Sequence, residues 1–162
     1  VNANLIEKSV KLIQKSTRKK SKVYIVGNGG SASIANHVSV DFTKIARIPS
    51  VTFNNSNLIT CFANDYGYEN WVVEAIKAYT NKNDLMILIS SSGTSKNIVN
   101  AAQYCKSNKI NLITLSGFNK NNPLNQLGNI NFHIDSNEFN FIEMSHHIIL
   151  LVLVDIFAKK KH

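Results

Sequence analysis

The stretch at positions 22–33, KVYIVGNGGSAS, contains the pattern that decides the fold. Its first five residues are mostly β-branched or aromatic and predict a short strand. A glycine-rich turn follows at 27–31, and the apolar residues of 32–42 then recur at helical spacing. The stretch therefore predicts a strand, a glycine turn and a helix in succession.

The same order recurs further along the chain. Residues 84–89 are almost wholly apolar, 90–95 are Ser-Ser-Ser-Gly-Thr-Ser, and 98–106 again have helical spacing. Further strands are predicted at 51–53, 110–115 and 130–134, further helices at 4–16, 57–64 and 141–158, and a loop at 119–129. Nearly apolar strands that alternate with helices imply a parallel sheet covered on both faces, which is an α/β fold.

The size and composition of the chain indicate one domain. Its 162 residues, 44% of them hydrophobic, are enough for a sizeable core and too few for two ordinary domains, so we predict a single domain over 1–162. No apolar run approaches the roughly 20 residues of a membrane span, and we expect no membrane partner. Cys61 and Cys105 stand alone, without metal or disulfide spacing, which favours a reducing cytoplasm.

The net charge of +8 raises the question of a nucleic-acid partner. The excess lies mainly at the two ends of the chain, in Lys8, Lys11, Lys15, Arg18, Lys19, Lys20, Lys22, Lys159, Lys160 and Lys161. No aromatic residues interleave with these cations to stack on bases, so nucleic acid is not expected. Solvated helix faces and a charged tail are the favoured interpretation, with an anionic ligand or partner as the alternative.

Both polar turns follow strands, and ligands of parallel sheets bind beyond the carboxyl ends of the strands. Gly29 and Gly30 would let the backbone approach a ligand, and the helix that follows offers N–H groups and positive charge. The hydroxyls of 90–95 could surround phosphate oxygens at the start of a second helix. The turns match neither the P-loop nor the G-x-G-x-x-G pattern, which favours a monophosphate over a nucleotide. The alternative is that these residues only cap helices.

The order of these motifs resembles the sugar isomerase (SIS) domain family, and within it the phosphoheptose isomerases. The matching segments are 27–33 (GNGGSAS), His37 with Asp41, 63–67 (ANDYG), 89–95 (ISSSGTS), 114–117 (TLSG) and 142–146 (IEMSH). The resemblance implies a flavodoxin-like three-layer α/β sandwich with a central parallel sheet. It also implies an N-terminal helical segment, here about 1–20 and only part of the family's segment, and a homotetramer with sites at subunit interfaces.

The resemblance also implies a site for a phosphorylated sugar. By position, the sugar contacts would come from Asn28, Gly29, Gly30, Asn64 and Asp65. The phosphate contacts would come from Ser90, Ser91, Ser92 and Ser95. The residue pattern alone also predicts that these serines bind phosphate.

The catalytic positions depart from the family's pattern. The general base, a glutamate in the family, falls at Asp41, so a carboxylate is kept. The family also ligates zinc through a histidine, that glutamate, a glutamine and a second histidine, which correspond here to His37, Asp41, Glu143 and Leu151. Leucine can neither ligate zinc nor transfer the proton that the family's second histidine transfers.

Helical spacing suggests how the lost histidine is replaced. His37 and Asp41 are four residues apart, as are Glu143 and His147, so each pair shares one helix face and the two pairs could converge. His147 would then act as the acid, as a zinc ligand, or as both, and Glu143 would contact substrate or zinc. His146 could be the functional histidine instead.

Several alternatives remain open at this point. His147 could simply pack in a subunit interface, and Asp41 could be a surface carboxylate beside Lys44. The aromatic residues Tyr66, Tyr68 and Trp71 are predicted to pack rather than to bind.

Three functions fit these residues. The first is an aldose–ketose isomerase that acts on sedoheptulose 7-phosphate or a related phosphosugar through an enediol. The second is a protein without catalysis that binds a phosphosugar as a sensor or assembly partner, which Leu151 favours. The third is a different reaction on a related phosphosugar, with the changes at 41, 143 and 151 acting together.

Overall fold

The computed structural model describes residues 2–17 and 21–159. These residues form six α-helices: α1 (Ala3–Thr17), α2 (Gly30–Lys44), α3 (Ser56–Tyr66), α4 (Trp71–Tyr79), α5 (Lys96–Ser107) and α6 (Phe139–Lys159). They also form five strands: β1 (Val23–Val26), β2 (Ser50–Val51), β3 (Leu85–Ile89), β4 (Asn111–Ser116) and β5 (Ile130–His133), with a short 3-10 helix at Leu124–Gln126. The basic residues 18–20, 160 and 161, which are predicted to lie on a solvated face or in a charged tail, fall outside the described residues.

The strands form one sheet in the order β2-β1-β3-β4-β5, and every neighbouring pair is parallel. This is the flavodoxin-like order, in which strands are added on one side of β1 and then, from β3 onward, on its other side. Val26, the last residue of β1, pairs with Leu88, the next-to-last residue of β3. The turns that follow β1 and β3 therefore lie side by side.

Helices cover both faces of the sheet, so the predicted three-layer α/β fold with an N-terminal helix is confirmed. Alternate residues of β1 enter opposite cores, Val23 and Ile25 on one side and Tyr24 and Val26 on the other. The first core is closed by α1, α2 and α6, and the second by α4, α5 and part of α3. Burial of the sheet on both faces explains why its strands are nearly all apolar.

Helix α6 is strongly apolar in composition. Of the helices in the described part of the chain, it is the one long and apolar enough to cross a membrane by length and composition alone. Its residues Ile149, Leu150 and Leu153 are at most 1% exposed within the first core. The apolar character of this face of α6 thus follows from its place as a central cover of the sheet, as it does for core helices of globular proteins.

Three segments differ from the sequence-based expectations. Helix α4 was not predicted, and strand β2 contains only two residues. The 119–129 segment is more ordered than an ordinary loop, because the 3% exposed side chain of Asn122 donates to the backbone oxygens of Gly117 and Asn119.

Both cysteines are free, as predicted, with Cys61 exposed and Cys105 buried. Burial raises the pKa of the Cys105 thiol to about 12.

Candidate functional site

The glycine turn after β1 requires glycine for two separate reasons. Gly29, which precedes α2, has φ 52° and ψ −121°, a backbone conformation that favours glycine over residues with a Cβ atom. At Gly27, a Cβ atom would lie 2.6 Å from the Cβ of Ser31 and 2.8 Å from its carbonyl carbon. The turn therefore brings bare backbone to the N-terminus of α2, where N–H groups lack partners in the helix.

The serine-rich turn after β3 lies beside the glycine turn. Its hydroxyls are linked in pairs, Ser90 Oγ to Ser95 Oγ at 3.1 Å and Thr94 Oγ1 to Ser92 Oγ at 3.0 Å. The two turns together line a cavity of about 240 Å³. Its walls include eight of the predicted substrate residues: Asn28, Gly29, Gly30, Ser90, Ser91, Ser92, Ser95 and Glu143.

Two further features of the cavity bear on its ligand. Ser91 is 7% exposed, and its Oγ is buried without a hydrogen-bond partner among the described residues. A buried hydroxyl that lacks a partner is costly, and an anion in the cavity would supply one. The Glu143 carboxylate packs on Gly30 so closely that a Cβ atom there would overlap it. This places a negative charge at the N-terminus of α2, where the helix dipole favours it, and leaves the serine turn as the part of the cavity suited to an anion.

A second polar cluster lies further along α2 and α6, which pack against each other. His37 Nε2 is 3.1 Å from Asp41 Oδ2, and the rings of His37 and His147 meet edge to face with centroids 4.9 Å apart. Of the two pairs predicted from helical spacing, His37 with Asp41 therefore meets His147 of the second pair, while Glu143 lies in the cavity wall. We call His37, Asp41 and His147 the histidine cluster.

Within the histidine cluster, His147 has the most perturbed surroundings. Burial lowers its pKa below the ordinary value, the neighbouring His37 lowers it further, and Asp41 partly opposes both effects. Its Nε2 atom is buried without a partner in the part of the chain that the structure describes. A neutral imidazole with a free ring nitrogen can accept or relay a proton.

The other two positions weighed for this role, 146 and 151, pack in or against the core. His146 is 0% exposed, its Nε2 is 3.1 Å from the carbonyl oxygen of Ser116, and burial lowers its pKa to about 4. Leu151 is partly buried and packs against the first core. Of the two adjacent histidines, the structure therefore places His147 in the cluster and His146 in the packing.

The described residues do not form a ready zinc site. No group of three or more His, Cys, Asp or Glu side chains among them is arranged to hold a metal ion. Glu143 lies against Gly30 in the cavity, and Asp41 is engaged by His37. Zinc therefore stays a prediction from the sequence.

Asn64 and Asp65 are not among the residues that line the cavity. They are exposed near the end of α3, where Asn64 Nδ2 donates to Asp65 Oδ1 at 2.9 Å. Their predicted contact with sugar stays a prediction.

The aromatic predictions have mixed outcomes. Trp71 is 1% exposed and packs as predicted, but Tyr66 and Tyr68 are about half exposed. The packing prediction for Tyr68 was wrong, because its hydroxyl lies 3.3 Å from Asn28 Oδ1 at the edge of the glycine turn.

Comparison with known proteins agrees with this arrangement. Residues 1–117 match the SIS domain. The phosphoheptose isomerase of Helicobacter pylori (strain ATCC 700392 / 26695) is 32% identical over 158 residues, which cover 93% of this chain and 81% of that protein. The phosphoheptose isomerase of Thermodesulfovibrio yellowstonii is 30% identical over 99% of this chain and 87% of its own length.

Among solved structures, phosphoheptose isomerase GmhA from Neisseria gonorrhoeae has the same fold. It superposes with a TM-score of 0.89 at 21% identity, over 97% of this chain and 86% of GmhA. Together, the matched sequence segments, the strand order and the paired polar turns show that this chain belongs to the SIS domain family.

Proposed function

We propose that this chain is a sugar-phosphate isomerase of the phosphoheptose isomerase type, which interconverts sedoheptulose 7-phosphate and D-glycero-D-manno-heptose 7-phosphate or a closely related pair. The observation that carries the proposal is the position of the histidine cluster relative to the cavity. His147 follows Glu143 by four residues, so the cluster lies about 6 Å along α6 from the wall of the cavity. A phosphate held in the cavity would leave the sugar chain to extend towards Asp41.

The reaction needs a base at carbon and an acid at oxygen. Asp41 would take the proton from C1 of the ketose, and the electrons of that C–H bond would form the C1=C2 double bond of an enediol as the C2 oxygen gains a proton. Return of a proton to C2, with loss of the O1 proton, gives the aldose. His147, held neutral by burial, would move the proton between the two oxygens.

The remaining groups would orient the substrate. The serine turn would bind phosphate, and this positioning lowers the barrier because the reacting carbon is held near its base. His37 contacts Asp41 and would fix the direction of its carboxylate. Zinc has no step in this scheme, and His37, Asp41, Glu143 and His147 stay the ligands that the sequence predicts for it.

A second candidate is a phosphosugar-binding protein without turnover, favoured by Leu151, a leucine that packs against the first core and has no proton-transferring group. Both candidates are tested by incubating the purified chain with sedoheptulose 7-phosphate in deuterated water, with and without zinc. We expect deuterium at the carbon positions of the sugar by NMR and formation of the aldose. Binding by calorimetry without any deuterium exchange would remove the isomerase proposal and leave the binding protein. Exchange without this aldose would indicate a different reaction.

Replacement of Ser91 by Ala tests the phosphate site. Because its hydroxyl has no partner in the free chain, loss of the hydroxyl should leave the free energy of unfolding unchanged or raise it by up to about 1 kcal/mol. The affinity for sugar phosphate should fall about tenfold, since one donor to the anion is lost. Calorimetry and urea unfolding measure the two effects. The control is Ser107→Ala, at the exposed end of α5, which should change neither affinity nor stability. A Ser91 variant less stable than the native chain would assign the hydroxyl to folding.

The proposal includes a homotetramer with sites at subunit interfaces. Support comes from exposed apolar side chains on the helices that carry the histidine cluster: Val40, Phe141, Met144 and Ile148 are each more than half exposed. Exposed apolar patches of this kind mark interaction surfaces. Light scattering should give the mass of four chains, and Ile148→Asp should lower it. A monomeric native chain would contradict this part of the proposal.

A further inference from the structure

The two turns that line the cavity are joined by a pair of side-chain carboxamides. Asn28 Nδ2 donates to Asn97 Oδ1 at 2.9 Å, and Asn97 Nδ2 donates to Asn28 Oδ1 at the same distance. Asn28 belongs to the glycine turn, and Asn97 lies in the first turn of α5, just after the serine turn. The pair connects residues 69 positions apart in the sequence.

Asn28 and Asn97 differ in what they face. Asn28 lines the cavity, whereas Asn97 is 2% exposed and lies behind it. Among the hydrogen bonds described for this chain, the Asn97 carboxamide bonds to Asn28 alone. The side chain of Asn97 therefore does not cap α5, and its polar atoms are directed at one residue of the cavity wall.

Counting donors and acceptors shows what this arrangement leaves available. An asparagine carboxamide has two N–H donors and one oxygen with two lone pairs. In Asn28 the oxygen accepts from Asn97 and from the Tyr68 hydroxyl at 3.3 Å, and one N–H is used by Asn97. One N–H of Asn28 remains, directed away from Asn97, with the plane of the amide fixed by two reciprocal bonds.

We propose that Asn97 is a positioning residue for sugar recognition: it holds the Asn28 carboxamide in the plane that presents its remaining N–H to a sugar oxygen. This inference rests on the proposed function, because it assumes a phosphorylated sugar in the cavity. It assigns Asn97 to the sugar and not to the phosphate, which the serine turn would hold. A donor fixed before binding loses less conformational freedom when the ligand binds.

The test compares two ligands of the native chain and an Asn97→Leu variant, which keeps the side-chain volume and removes the amide. Calorimetry with sedoheptulose 7-phosphate should show an affinity loss of about tenfold, the range expected when one oriented hydrogen bond is weakened. Inorganic phosphate, which lacks the sugar, should bind both chains equally within about twofold. In turnover, KM should rise about tenfold with kcat little changed, as for contacts equal in ground and transition states.

Two controls separate positioning from general damage. Asn100→Ala, one turn along α5 and bonded to the Glu69 carbonyl oxygen, should change neither affinity. In an Asn28→Ala background, Asn97→Leu should cause no further loss of sugar-phosphate affinity, because Asn97 acts through Asn28.

The outcomes distinguish the inference from the proposed function. Loss of both affinities, or equal sugar-phosphate affinity in the native and Asn97→Leu chains, overturns the role of Asn97 while the isomerase proposal stands. A native chain that binds inorganic phosphate but no sugar phosphate overturns the proposed function and this inference together. Selective loss of sugar-phosphate affinity supports both.

Discussion

Replacing Asp41 by Asn should lower kcat about a thousandfold, within the range of effects for general bases, and should leave sugar-phosphate affinity within about threefold. The amide keeps the size of the carboxylate and its contact with His37, but it cannot accept a proton from carbon. Because the substituted residue lies in the histidine cluster, outside the phosphate cavity, binding of the phosphate should persist. Deuterium exchange at the sugar carbons measures the first effect, and calorimetry measures the second.

Asp155→Asn is the matched control, since Asp155 is exposed on α6 and the substitution makes the same chemical change. It should alter neither kcat nor affinity. If the Asp41 variant keeps more than a tenth of the native kcat, Asp41 is not the base, and Glu143 becomes the next carboxylate to test. If binding falls with kcat, Asp41 contacts the substrate in the ground state as well.

His147 is the candidate for proton transfer at oxygen, because Leu151 leaves the corresponding position of the family's pattern without an imidazole. The geometry offers a replacement one helical turn earlier, with a ring nitrogen that lacks a partner among the described residues. A loss of kcat in His147→Gln, smaller than that of the Asp41 variant, would assign proton transfer at oxygen to this ring.

The parallel sheet could be predicted because its physical cause leaves a direct trace in sequence. Strands buried on both faces must be apolar at nearly every position, as in 85–89. The convergence of His37, Asp41 and His147 also followed from sequence, because four-residue spacing places side chains on one helix face. Helix α4 was overlooked although Trp71, Val72, Ala75 and Ile76, all buried, have the spacing of an amphipathic helix.

Other features of the site depend on contacts that local sequence does not encode. The pairing of Asn28 with Asn97 arises because β1 and β3 are neighbours in the sheet, which brings their turns together. Tyr68 was predicted to pack from its residue type alone, because the neighbouring sequence does not show that its hydroxyl reaches Asn28. The serine turn was identified by composition, but the packing of Asn122, nearly thirty residues away, against its Gly93 was not.

The packing of Asn122 against Gly93 leads to the largest expected loss of stability, in Gly93→Ala. Gly93 has φ 68°, and a Cβ atom there would overlap the Asn122 carboxamide. Asn122 is 3% exposed and makes four hydrogen bonds within the 116–125 segment, so it cannot move aside without losing them. Backbone strain and overlap together should lower the free energy of unfolding by about 3–5 kcal/mol, a large part of the usual total.

Gly29→Ala separates the two causes of this loss. Gly29 also has a positive φ, 52°, but a Cβ atom there would meet nothing within 4 Å. Its substitution should cost only the backbone strain, about 1–3 kcal/mol. Urea unfolding of both variants measures the difference, and equal losses would mean that Asn122 yields without cost. In Gly93→Ala/Asn122→Ala the overlap is removed, so the loss should be smaller than the sum of the single losses. That result would show that the serine turn keeps its shape because glycine at 93 allows Asn122 to pack against it.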